Sequence, residues 1–181
     1  MRYTNDGLME ARELFEAHGA AIYRFTAVLL RHPQDAEDCV QETFLKLVRH
    51  LSAGGDATNI RAWLFAVAAN AARDRLRGRG RWIPWLPAHD REVPPAPLPD
   101  EDGRLARARA ALAVLAPRDR MLLALRAQGL SYRDIASAAK IAPASVGRLL
   151  ARALDRWAAA NERRGTIHEP VFEQHPDTSR R

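Results

Sequence analysis

The stretch from Trp82 to Gly103 constrains this chain most, because it holds Pro84, Pro87, Pro94, Pro95, Pro97 and Pro99. Each proline lacks a backbone N–H, and its ring collides with the preceding helical turn, so no helix crosses the stretch. Such a composition favours an extended tether. It divides the 181 residues into two parts, each long enough for a small helical unit. On both sides apolar residues recur every three or four positions, and no stretch alternates with period two. The chain is therefore predicted to be all-α, with two small helical domains joined by a Pro-rich linker. Residues 8–81 form the first, 82–103 the acidic linker, and 104–162 the second, which contains a helix-turn-helix; 163–181 is a polar tail. Predicted helices cover 8–30, 35–51, 60–77, 104–115, 117–128, 131–139 and 143–160.

In the second predicted helix Ala36, Val40, Phe44, Leu47 and Leu51 make one apolar stripe, leaving Asp38, Gln41, Glu42 and Lys46 outward. Residues 52–59 break the pattern, and Thr58 or Asn59 can cap the next helix. Charge is distributed in blocks. Residues 60–81 carry six basic side chains against one acidic, and 104–164 carry thirteen against four, within a net charge of +6. Two basic blocks across an acidic linker point to two anion-binding surfaces, or to two solvated helix faces. The single Cys39 excludes an internal disulfide framework and a multi-Cys zinc site. No signal segment and no membrane-spanning apolar run is present, so a cytoplasmic protein without membrane insertion is expected.

The stretch Gly129-Leu-Ser-Tyr-Arg-Asp-Ile-Ala136 is the most informative. Ser131 is an N-cap with Asp134 three residues on, Leu130 and Ile135 can staple the entry, and Gly129 ends the preceding helix. Small residues Ala136 and Ala139 allow a close crossing. After a turn at Lys140–Ala142, Pro143 starts a helix whose core stripe is Val146, Leu150, Ala153, Leu154 and Trp157. Ser145, Arg148, Leu149 and Arg152 share another face, suited to the major groove, where arginine can donate two hydrogen bonds to guanine.

Three segments together carry a family resemblance: His32–Leu47, Ile60–Arg77, and Leu115–Arg120 with Gly129–Ala153. In that order, across the linker, they resemble the extracytoplasmic-function group of bacterial RNA polymerase sigma factors. The resemblance implies a specificity subunit that binds core RNA polymerase, recognises the −10 and −35 promoter elements and helps open DNA. It implies contacts with the polymerase β′ clamp helices through Asp35, Asp38, Gln41, Glu42 and Phe44, and with the β flap. Phe44 is equally a core residue by spacing. The melted element would meet Arg61, Asn70, Arg73, Arg75 and Arg77, with Arg79 and Arg81 beside them, and a flipped base would sit in the loop 52–59, with Trp63 as a neighbour or a core residue. The upstream element would meet Ser131, Tyr132, Arg133, Ser145, Gly147, Arg148, Leu149 and Arg152. Promoter DNA and an anti-sigma factor are further partners such proteins can have. Two departures stand out: Lys140 replaces the usual turn glycine, and Gly147-Arg148-Leu149 replaces a frequent Lys-Ser-Arg, so the upstream sequence preference does not transfer.

No cofactor and no enzymatic activity are expected, because no Ser/His/Asp order, P-loop or His–carboxylate spacing occurs. Asp38 and Glu42 lack an accompanying histidine, which argues against a metal. A stand-alone dimeric helix-turn-helix regulator is the competing reading; it leaves the 32–81 segments without a role.

Overall fold

A computed structural model of the chain describes residues 5–56, 58–78, 80 and 103–165. Seven helices account for nearly all of them: α1 (Asn5–Leu30), α2 (Pro33–Ser52), α3 (Ile60–Gly78), α4 (Gly103–Val114), α5 (Pro117–Ala127), α6 (Tyr132–Ala139) and α7 (Val146–Gly165). A short 3-10 turn, Pro143–Ser145, leads into α7, so Pro143 opens that turn and not the α-helix itself. The described residues contain no strand. The linker and most of the tail lie outside the described residues.

The N-terminal half is a three-helix unit. Arg31 takes a left-handed backbone (φ 57°) and Pro33 opens α2, so α1 and α2 meet at a corner of two residues. His32 caps α2: its Nδ1 accepts from the Asp35 N–H at 3.4 Å. Ala36, Cys39, Val40, Phe44 and Leu47 are all buried, as the stripe requires, against Ile22, Phe25, Leu29, Leu64 and Phe65. Phe25 and Phe65 meet edge to face at 5.4 Å, a geometry favoured by the ring quadrupoles. Buried Thr26 and Thr43 return their hydroxyl hydrogens to the carbonyls of Ile22 (3.0 Å) and Cys39 (2.7 Å). Burial pushes the Cys39 thiol up to about 11, as for an inert core sulfur.

In the C-terminal half α4 lies against α7, and α5 contacts both α6 and α7. Trp157 donates its indole N–H to the Ala108 carbonyl (3.1 Å), tying α7 to α4. Asp119 is buried and accepts from Arg156 at 2.5 Å. Ser131 caps α6 by accepting from the Asp134 N–H (3.2 Å), and Gly129 takes the expected positive φ of 74°. Lys140 takes φ 55° and ψ 52° and so accepts the left-handed turn.

The core does not divide at the linker. One continuous apolar cluster runs from Ile22 and Phe65 through Ala68, Ala69, Ala71 and Ala72 to Met121, Ile135, Ala138 and Leu150. Helix α3 packs on α6 and α1 on α5. Alanines on both α3 and α6 let the two backbones approach closely, a fit invisible to a helix-by-helix reading.

Candidate nucleic-acid interface

The helix-turn-helix presents a cationic surface. Tyr132, Arg133, Arg148 and Arg152 are exposed, and Ser145 and Gly147 are half-buried at the start of the second helix. The Arg126 guanidinium lies 5.6 Å from the centre of the Tyr132 ring, and a Cβ on Gly147 would come within 3.5 Å of that ring. The two helices thus meet closely where α7 begins. Two stripe positions are exchanged relative to expectation. Leu149 is buried, whereas Leu154 is half exposed. Val146, Leu149, Leu150 and Ala153 fall at i, i+3, i+4 and i+7 and make the buried stripe, with Leu154 just beyond its edge. Leu149 thus supports the recognition helix from inside, and Arg148 and Arg152 remain outside.

On α3 the predicted nucleic-acid residues do not share one free surface. Arg73 is 5% exposed. It donates to the Ala138 carbonyl at 2.6 Å and to Asn70 Oδ1 at 2.5 Å, and approaches Met121 Sδ at 3.8 Å. Burial holds its pKa below the ordinary arginine value. Its expected phosphate contact is therefore not available in this arrangement. Arg61 is exposed, donates to the Gln128 carbonyl at 2.5 Å, and lies 5.7 Å from the Phe65 ring centre. Arg77 is exposed beside Asp74 (3.1 Å), a pair of little energetic weight. Arg79 and Arg81 lie outside the residues whose side chains are described.

Arg75 turns to α2. It donates to Glu42 at 2.8 Å, while Lys46 holds the other oxygen of the same carboxylate at 2.7 Å. These three, with Asp38, Gln41, Leu45 and Arg49, line an open groove of about 410 Å³. The Lys46 hydrogen bond above all holds the Glu42 carboxyl below its usual range; burial opposes it, and the Arg75 hydrogen bond adds to the lowering. Glu42 thus bridges two cations, one on each oxygen, and keeps further lone pairs to accept with. Asp38 accepts from Gln34 at 3.4 Å, and Asp35, near His32 at 3.6 Å, is largely buried. Phe44 is buried and packs edge-on to Phe15 at 4.9 Å; it is a core residue here. The half-exposed Phe15 and Leu45 supply the outward apolar surface that Phe44 does not.

The loop before α3 is organised by residues that its turn composition alone did not single out. Asp56 accepts from the N–H (2.8 Å) and hydroxyl of Thr58. His50 Nε2 bonds the Asp56 carbonyl at 3.1 Å, and its ring stacks on Trp63 at 4.7 Å. Gly55 has no room for a side chain: an added Cβ would meet the His50 ring at 2.3 Å.

Comparison with known proteins fits this two-part surface. Residues 14–81 match the family described as Sigma-70 region 2, and residues 105–156 match Sigma-70, region 4. RNA polymerase sigma factor CarQ of Myxococcus xanthus is 32% identical, over 79% of this chain and 84% of its own length.

This chain belongs to the extracytoplasmic-function RNA polymerase sigma factors.

A second relative of the sigma factor is SigE of Mycolicibacterium smegmatis, 35% identical over 68% of this chain and half of that protein. Sigma factor RpoE of Bartonella quintana, solved with the anti-sigma factor NepR, shares the fold: TM-score 0.64 and 24% identity, over 83% of this chain and 96% of that one. The sigma factor is thus a promoter-recognising transcription-initiation protein. None of its described helices is long and apolar enough to cross a membrane.

Proposed function

We propose that this sigma factor works in the cytoplasm as a dissociable subunit without catalytic chemistry of its own, docking on core RNA polymerase through its N-terminal half and contacting promoter DNA with both halves. The observation that carries this reading is the ordered pair of region 2 and region 4 matches across one chain. Its docking surface is the α2 groove, where Asp38, Gln41 and Glu42 offer acceptors beside exposed Leu45. Charge-assisted acceptors around an apolar anchor suit a basic, amphipathic helical partner such as the β′ clamp helices. The upstream element is read by Arg148, Arg152 and Ser145, with Tyr132 and Arg133 on the adjoining backbone. The downstream, melted element belongs to α3 and to the loop held by His50 and Asp56, which supports capture of an extruded base. Likeness in fold to a sigma factor solved with NepR supports an anti-sigma protein as a further partner.

A competition assay tests the docking half. Glu42→Arg with Asp38→Arg is expected to lower affinity for core polymerase at least roughly tenfold, the usual weight of buried charge pairs at an interface, with duplex binding unchanged or stronger. Unchanged core binding would remove α2 as the docking surface.

A further inference from the structure

Four arginines cross between the two halves, and each ends on carbonyls at the C-terminal end of a helix in the other half. Arg31, just after α1, donates to the Ala113 carbonyl of α4 (3.3 Å). Arg61 of α3 donates to the carbonyl of Gln128, the C-cap of α5 (2.5 Å). Arg73 of α3 donates to Ala138 in the last turn of α6 (2.6 Å). In the opposite direction, Arg120 of α5 donates to Val28 and Leu29 in the last turn of α1 (3.4 Å each) while holding Leu115 in its own half (2.9 Å). The last four carbonyls of a helix lack intrahelical partners, and the aligned peptide dipoles leave partial negative charge there. A guanidinium is a donor fork suited to that target. A fifth tie, Asn59 Nδ2 to Asp134 Oδ1 at 3.1 Å, joins the loop before α3 to the first turn of α6.

We infer that these reciprocal arginine caps are a latch, holding the free sigma factor closed with Arg73 of α3 turned inward and Arg61 engaged. In the closed form Arg73 and Asn70 satisfy each other and the end of α6, and Arg61 is engaged at the end of α5, while Arg148 and Arg152 stay exposed. The closed chain therefore offers the upstream-reading helix to duplex DNA and withholds Arg73, with Asn70 and Arg61 engaged, while Arg77 stays exposed. Opening releases Arg61 and Arg73 from helix-end carbonyls to phosphates, a chemically similar but fully charged acceptor. Residues 81–102 joining the halves are long enough to span roughly 70 Å when extended, so the linker permits separation, which exposes the apolar seam between the α3 alanines and Met121, Ile135 and Ala138. What opening achieves rests on the DNA-contact reading above; the closure itself does not.

Small-angle scattering of the full chain tests the latch. Arg61→Glu with Arg73→Glu sets carboxylates against the helix-end carbonyls and is expected to raise the radius of gyration by roughly a quarter over the value of a compact body, with helical circular dichroism retained. Arg12→Glu, the same substitution at a single exposed site on α1 and so half the charge change, is expected to leave the dimension unchanged. Asn59→Asp, facing Asp134, is expected to expand the chain partly, and adding Asp134→Asn to restore it. An unchanged dimension in the arginine double variant, or expansion accompanied by loss of helix, overturns the latch. Failure of the parent chain to direct transcription with core polymerase would strike the functional reading and leave the scattering result intact.

Discussion

At Lys140 the backbone sits at φ 55° and ψ 52°, where an L side chain crowds the adjacent carbonyl. Lys140→Gly is expected to stabilise the fold by about 0.5–1 kcal/mol, the relief of that strain less the larger chain entropy of glycine, read as a higher denaturation midpoint. Ser131→Ala removes the hydroxyl that caps α6 and is expected to cost about 1 kcal/mol. Glu42 gives a pH signature. Its folded pKa is depressed by Lys46 and Arg75, so its stabilising contribution is present above the ordinary carboxylate range and is lost as pH falls through the depressed value. Glu42→Gln is expected to flatten that part of the acid limb of stability in an acid titration and to leave the neutral-to-alkaline limb unchanged. The cap at Ser131, the glycine at 129 and the turn at Lys140 were legible because local chemistry decides them. The burial of Arg73 was not, because a run of arginines after position 72 has no signature separating a phosphate contact from a bond to a distant carbonyl.

Among the elements, α7 best separates what periodicity reveals from what it conceals. Its helical character and its cationic surface follow from spacing. The edges of the buried arc do not: Leu149 and Leu154 flank the Val146–Leu150–Ala153 stripe on opposite sides, and only the packing of α7 decides that Leu149 is buried and Leu154 exposed. Paired substitutions test this assignment. Leu149→Ala is expected to lose about 2–5 kcal/mol of stability as a buried leucine truncation. Arg148→Ala is expected to leave stability within about 0.5 kcal/mol and to weaken binding to a cognate upstream duplex by about 1–3 kcal/mol, measured by fluorescence anisotropy. Equal stability losses at the two positions would return Leu149 to the surface. Helix α2 was read more fully in advance: of its stripe Ala36–Val40–Phe44–Leu47–Leu51 the first four are buried and Leu51, in the last turn, is half-buried, since a helix pressed on one side by α1 and α3 has one dry face. What spacing could not supply was the partner of Glu42, for Arg75 lies 33 residues away.

For the whole molecule, seven helices in two halves were legible from prolines, glycines and apolar spacing, and the order of three motifs identified the family. The contact between halves was not legible, because tertiary carbonyl capping leaves no periodic trace and because the alanines of α3 read equally as helix filler. The halves share a core, and the polar bonds between them run to helix ends, so a polyanion can take over the arginines' role there. Whether the molecule directs initiation is tested most directly by run-off transcription with purified core polymerase on a library of genomic promoters. The sigma factor is expected to give discrete, protein-dependent starts whose upstream regions share two spaced elements, with Arg148→Ala reducing the yield. Starts that do not depend on the protein, or none at all with active core polymerase, would contradict the account.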